Sequence, residues 1–284
     1  MKLDREWLNE QFVRSGAAAW GSCAFSDLSL RGEPLARALK LCPDAAGVLI
    51  AAYPYYAGNR PGNLSLYARG EDYHRVLLRR LNGVCDALHA VYPAYRFCAG
   101  TDSSPLPERL AAKLAGVGIQ GRNGLVIVPP YGSWVFLGTI LTDCPLPSAE
   151  HPAPDCIGCN ACVRACPGGA LRAVPFDEEK CLSALTQKKG ALTAEQEALL
   201  RAHPLIWGCD VCQTVCPYNR EAEHSQLPDL TGEAEDLPYL DSLQAADLEG
   251  LSNRTFREQY GSRAFAWRGP AVLRRNLERK EKED

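Results

Sequence analysis

Eight of the thirteen cysteines fall between residues 156 and 216, with the spacing of metal ligands. Residues 156–167 read CIGCNACVRACP, a C-x2-C-x2-C-x3-C-P run. Three thiolates on so tight a loop reach three corners of one [4Fe–4S] cube, while the fourth, Cys166, is directed to a different cluster. Residues 209–217, CDVCQTVCP, are a shortened copy with three cysteines. By the same crossing, Cys216 completes a first cluster with Cys156, Cys159 and Cys162. The second cluster then has Cys166, Cys209 and Cys212 and lacks one ligand, for which Cys181, between the motifs, is the candidate. Zinc also favours paired C-x2-C, but it does not need the x3-C-P crossover. The chemistry expected is electron transfer, one electron at a time, through two neighbouring clusters. Cys23, Cys42, Cys85, Cys98 and Cys144 have no ligand spacing and read as packed thiols.

The elements that position these groups divide along the chain. Four prolines in residues 145–154 continue neither helix nor central strand and mark a linker. Before it, residues 46–53 read as a buried strand, and residues 72–89 place Val76, Leu77, Leu81, Val84 and Leu88 on one helical face. Residues 107–116 read as a second helix ended by glycine. Residues 124–128 and 134–141 read as two strands joined by a Pro-Pro-Tyr-Gly turn. The expectation is an α+β protein: an N-terminal α/β module over 1–150, a bacterial-ferredoxin-like double [4Fe–4S] module over 151–225, and a C-terminal helical basic segment over 226–284.

Composition bounds the setting. With 46% hydrophobic and 23% charged residues the 284-residue chain is of the globular kind and can bury a core. No apolar run reaches membrane-spanning length. The opening MKLDREWLNE lacks the layout of a secretory signal, which points to the cytoplasm and disfavours disulfides. Net charge is −3, but from Arg254 to Lys280 eight Lys or Arg stand against two Glu, while residues 221–249 are acidic. Such a tail is either a solvated helix or a phosphate-binding face.

Several stretches outside the cysteines share one family likeness: YARGEDYH at 67–74, TDSSPLPER at 101–109, AGVGIQGRN at 115–123, YGSWVFLG at 131–138, CLSALT at 181–186 and GCDVCQTVCP at 208–217. In this order they resemble epoxyqueuosine reductase, the cobalamin-dependent enzyme of the last step in making the tRNA nucleoside queuosine. The resemblance runs from about residue 45 to about residue 275. It implies cobalamin bound between the cluster module and an N-terminal module similar to cobalamin chaperones and reductive dehalogenases. It implies that Asp102 is the acid beside the substrate. Corrin contacts then come from Asp102, Arg109, Asn123, Val126, Ser133, Leu137 and Ser183. The glycines at 116, 118 and 121 would let the backbone approach the corrin, in the wrong context for a dinucleotide loop.

The resemblance further implies a tRNA anticodon stem–loop as partner, with Lys188, Lys189 and the basic segment toward its phosphates. An external donor such as flavodoxin or ferredoxin would supply electrons to a monomeric enzyme. The chain departs from the family in stopping short of a C-terminal helical-repeat extension, as a short form, and in Gly124 and Leu66, where bulkier or basic residues are expected. Two other readings use the same cofactors: a reductase of a small organohalide or epoxide, and a cobalamin-binding electron carrier. Asp102 weighs against the carrier, and the basic segment weighs against the small-molecule enzyme.

Overall fold

The computed structural model describes residues 3–172, 175–234 and 237–281. They divide into two compact units that interleave along the chain. The first comprises residues 1–55, 74–158 and 221–227, and the second residues 56–73, 159–220 and 228–284. The consecutive segments expected from sequence, 1–150, 151–225 and 226–284, are therefore drawn differently by packing. Residues 56–73 pack with the cluster motifs because Leu64 bridges to Trp207 and the Ser65 N–H donates to the Trp207 carbonyl at 2.9 Å.

The first unit is built on a four-stranded antiparallel sheet in the order β1-β2-β6-β3, from β1 (Ala19–Ala24), β2 (Gly47–Pro54), β3 (Phe97–Gly100) and β6 (Val135–Thr142). Every residue of β2 is buried, which explains its unbroken apolar run. Val48, Ile50 and Ala52 face a core shared with Ala38 of α2 (Gly32–Leu41) and with Ala111 and Ala112 of α4 (Glu108–Leu114). Small residues make this contact close: a Cβ on Gly21 would lie 2.4 Å from the Ala115 carbonyl oxygen. Helix α3 (Tyr73–Val91) buries Val76, Leu77, Leu81, Val84, Cys85 and Leu88, as the periodicity predicts. It packs on Gly138 of β6, where a Cβ would sit 2.6 Å from Leu81 Cδ1. Helix α1 (Arg5–Arg14) begins on Asp4, whose carboxylate accepts the Glu6 and Trp7 N–H groups.

The two strands expected at 124–128 and 134–141 are present, the first shortened, and they do not pair with each other. β5 is only Val126–Ile127 and pairs with β4 (Ile119–Gln120), while β6 pairs with β2 and β3. The intervening turn, with a cis Pro129–Pro130 bond, changes sheets instead of closing a hairpin.

The second unit is helical. It contains α5 (Ala161–Ala165), α6 (Leu182–Gln187), α7 (Ala194–Ala202), α8 (Val211–Thr214), α9 (Pro228–Thr231), α10 (Ala245–Leu248), α11 (Asn253–Tyr260) and α12 (Pro270–Glu281). Its core gathers Leu64, Ile206, Trp207, Leu243, Phe256, Phe265 and Leu273, and Trp207 Nε1 donates to the Tyr67 hydroxyl at 2.7 Å. Basic residues of the C-terminal segment are largely structural. Arg263 is buried and donates to the Arg69 carbonyl at 2.7 Å, Arg274 donates to Leu251, Arg275 to Leu185, and Arg279 pairs with Glu197 at 2.7 Å. Among the described residues no helix is long and apolar enough to cross a membrane.

Candidate functional site

In the second unit, α5 and α8 lie side by side and carry the cysteine motifs. α5 is entered through Asn160 in the left-handed region, φ 58°. Each motif ends in Cys-Pro, and proline forces the preceding residue out of the helical region. Cys166 and Cys216 are accordingly extended, with ψ of 113° and 126°, so each leaves its helix.

Burial first, then Asp210, Cys181 and Cys166, pushes the Cys209 thiol up to about 12. Cys212 is likewise pushed up to about 12, by burial first and then by Cys209, Cys181, Cys166 and Cys162. Cys166, Cys181 and Cys209, expected with Cys212 at the second cluster, thus lie within electrostatic range of Cys212, as does Cys162 of the first set. Mutual repulsion of this kind is relieved when a cationic iron core takes the place of the protons. Among the described residues no three His, Cys, Asp or Glu side chains close on a single ion.

Two second-unit details hold the motif in place. Asp210 Oδ1 accepts from the Ser65 hydroxyl at 2.5 Å and Oδ2 from the Leu66 N–H at 2.9 Å, while burial raises its pKa. Gly208, at φ +75°, admits no Cβ, which would lie 2.3 Å from that of Ser65. Of the first-cluster candidates, Cys159 is exposed, Cys162 buried and Cys216 half-buried. Cys156 belongs to the first unit, where its Sγ accepts the Arg122 N–H at 3.3 Å and its own N–H donates to the Gln120 carbonyl at 2.9 Å.

The first unit also holds a polar cluster on the loop between β3 and α4. Asp102 has φ 49°, a left-handed backbone that aspartate tolerates better than most residues. Its N–H donates to Glu108 Oε1 at 2.7 Å, and its Oδ2 lies 3.1 Å from His74 Nε2 at the start of α3. The Asp102 side chain is 63% exposed, not buried as a dry acid would be. Burial, followed by the nearby Asp102 charge, lifts Glu108 from 4.5 to about 8, against the opposing Asp102 N–H, His74 and Arg109. Glu108 therefore carries a proton at neutral pH and holds the loop without adding a second negative charge.

The other expected contact residues fall into four groups. Arg109 Nη1 donates to the Gly124 carbonyl at 3.0 Å, and Asn123 Oδ1 accepts the Leu125 N–H at 3.2 Å, so both shape the β4–β5 turn. A Cβ at Gly124, φ +79°, would lie 2.8 Å from Arg109 Nη1, so the guanidinium occupies the space a bulkier residue would fill. Leu137 is tied to the Asp102 loop, its carbonyl accepting from the Thr101 hydroxyl at 2.8 Å. Val126 and Ser133 are buried, Val126 within the core, which leaves its backbone as the part a ligand could meet. Ser183 lies in the second unit on α6, its carbonyl accepting from Thr186 at 2.8 Å and Gln187 at 3.1 Å. His74 closes the YARGEDYH stretch, but the sequence did not show its pairing with Asp102, and Glu108 was missed; the acid six residues after Asp102, at a helix start, is the signal that was there.

Residues 36–103 match the family model described as "Epoxyqueuosine reductase QueG, DUF1730", and residues 155–219 match the "4Fe-4S double cluster binding domain". Epoxyqueuosine reductase of Lactococcus garvieae is 34% identical over 240 residues, covering 80% of this chain, and that of Listeria monocytogenes is 38% identical over 225, covering 77%. The chain spans 65% and 56% of those two relatives' lengths. A solved epoxyqueuosine reductase bound to an epoxyqueuosine-modified tRNA-Tyr stem–loop superposes with a TM-score of 0.81 at 28% identity, over 97% of this chain and 80% of that one. A Bacillus subtilis epoxyqueuosine reductase whose catalytic aspartate loop is swung out of the active site matches over the same shares, with a TM-score of 0.81 at 27% identity. Epoxyqueuosine reductase of Synechocystis sp. is 32% identical over 89% of both chains. The chain belongs to the epoxyqueuosine reductase family.

Proposed function

We propose that this protein reduces epoxyqueuosine in tRNA to queuosine in the cytoplasm, using cobalamin and two [4Fe–4S] clusters. The observation that carries this reading is 32% identity to an epoxyqueuosine reductase over 89% of both chains, joined to eight cysteines with cluster-ligand spacing between residues 156 and 216. The epoxide loses its oxygen as water and becomes an alkene, which consumes two electrons and two protons. The clusters are held by Cys156, Cys159, Cys162 and Cys216, and by Cys166, Cys181, Cys209 and Cys212. An external donor such as flavodoxin or ferredoxin refills them.

The first unit supplies donors that suit a corrin rimmed with amides. Gln120 Nε2 is buried with no hydrogen-bond partner among the described residues, and the exposed Arg109 lies at the same turn. When bound, cobalamin supplies the low-potential electron transfer or carbon bonding that opens the epoxide.

The chain's own residues handle the proton. Asp102 donates one to the opening epoxide oxygen, as a general acid within reach of the substrate. His74, 3.1 Å away, is placed to return a proton to Asp102 or to orient it. Glu108 fixes the loop through the Asp102 N–H. The aspartate loop that swings in the Bacillus subtilis relative supports a loop that closes on the substrate. The test is mass analysis of nucleosides from epoxyqueuosine-containing tRNA after anaerobic incubation with the loaded enzyme and a reductant. Loss of one oxygen is expected, and unchanged nucleoside would contradict the assignment.

A further inference from the structure

The loop between β3 and α4 is anchored at both ends and exposed in the middle. Thr101 is buried, and its hydroxyl donates to the Leu137 carbonyl at 2.8 Å. Leu106 is buried in the core that α2 and α4 share with β2. Between these anchors Asp102 and Ser103 are exposed. Asp102 nonetheless keeps φ at 49°, a backbone that persists only where neighbouring groups hold it.

Two side chains from outside the loop do the holding. Glu108, the first residue of α4, accepts the Asp102 N–H on Oε1 at 2.7 Å. Arg37 of α2 donates from Nη2 to the Ser103 carbonyl at 2.9 Å. The tied N–H precedes the torsions of Asp102, and the tied carbonyl follows those of Ser103. The two bonds therefore bracket the stretch of backbone that aims the Asp102 carboxyl. Both helices are firm supports: Ala38, next to Arg37, and Ala111, a turn beyond Glu108, are fully buried in one core. The carboxyl so aimed lies 3.1 Å from His74 Nε2. A reacting acid must be closely placed, and at 63% exposure the Asp102 side chain gets little of that placement from packing.

We propose that Arg37 and Glu108 are positioning residues that work as one clamp, holding the Asp102–Ser103 backbone so that the Asp102 carboxyl stays beside His74. The proposal rests on the acid role given to Asp102 above and names what keeps that acid in place. Arg37 acts through the Ser103 carbonyl, at a distance from the reacting atoms. Because both bonds close on the same stretch of backbone, loss of either frees it, and loss of both adds little.

The test pairs hydrogen exchange with turnover on the loaded full chain. The variants are Arg37→Ala, Arg37→Lys, Glu108→Ala, Glu108→Gln and Arg37→Ala/Glu108→Ala. Exchange over residues 101–106, read by mass without substrate, is expected to be about tenfold faster in either alanine variant. Turnover of epoxyqueuosine-containing tRNA should fall about tenfold in each, with RNA affinity unchanged, and no more than about twofold further in the double variant. Lysine keeps a donor and glutamine an acceptor, so both should restore most of the slow exchange and the turnover. Arg37 is exposed, so thermal unfolding of its variants should match the wild type. Wild-type loop exchange in Arg37→Ala would overturn the clamp, whether or not its unfolding temperature falls. So would a loss of roughly a hundredfold in the double variant, which would make the two bonds independent. The reaction is read apart from this: faster loop exchange in the variants, beside a wild type that leaves the tRNA unchanged, sinks the proposed reaction and keeps the clamp. Deoxygenation at the wild-type rate in both alanine variants does the reverse.

Discussion

Asp102, His74 and Glu108 form a set in which two carboxyl groups sit close together under different conditions. Glu108, lifted to about 8, keeps its proton at neutral pH, whereas in the unfolded chain it titrates near 4.5. Between those values the unfolded chain has released a proton that the folded chain retains, so stability falls as pH rises from about 4.5 to about 8. Glu108→Gln keeps the acceptor for the Asp102 N–H and removes the titration. Urea unfolding from about pH 5 to pH 9 should therefore show a flatter profile in this variant; an identical profile would place the proton elsewhere. Asp102→Asn keeps the shape and removes the acid, so turnover should fall about 100-fold or more with RNA affinity unchanged. Equal loss of binding and turnover would assign Asp102 a binding role instead. Asp102 was singled out through its TDSSPLPER context alone, and its pairing with His74 spans 28 residues of sequence and depends on how β3 and α3 are packed.

At the scale of elements, short-range features were the legible ones. The i, i+3, i+4 apolar pattern of α3 and the apolar run of β2 carry their burial in their own residues. The cysteine motifs were equally plain, since ligand spacing and Cys-Pro geometry are local. Cys181 was assigned by counting, and it is among the thiols that raise Cys209 and Cys212. Cys181→Ser should lower bound iron from about eight to about four per chain, with the first cluster's absorbance retained. Loss of all iron, or of none, would contradict the division of ligands. The two strands on either side of the Pro-Pro-Tyr-Gly turn were legible, but their partners were not, because nothing in residues 124–141 shows that β2 and β3 flank β6. Gly124, a departure from the family pattern, has a local reason in the Arg109 guanidinium. Gly124→Ala combines left-handed strain with that contact and should cost about 1–2 kcal/mol in thermal unfolding.

Across the whole chain, the two compact units interleave, and sequence could not show it. Residues 56–73 precede most of the first unit yet pack with Trp207 and Asp210, through contacts about 140 residues away in sequence. Burial also divides the basic segment. The row of arginines reads as one charged face, but Arg263, Arg274, Arg275 and Arg279 are held by carbonyls or Glu197. The central claim is that electrons held on this chain remove one oxygen from a tRNA nucleoside. The most direct measurement is a single turnover: the loaded protein is reduced, the reductant is removed, and epoxyqueuosine-containing tRNA is added without oxygen. The expected result is queuosine, up to about one per chain, formed as both clusters lose one electron each and the iron–sulfur absorbance returns. Clusters that stay reduced beside unchanged epoxyqueuosine, with cobalamin bound and all eight cysteines occupied, would contradict it.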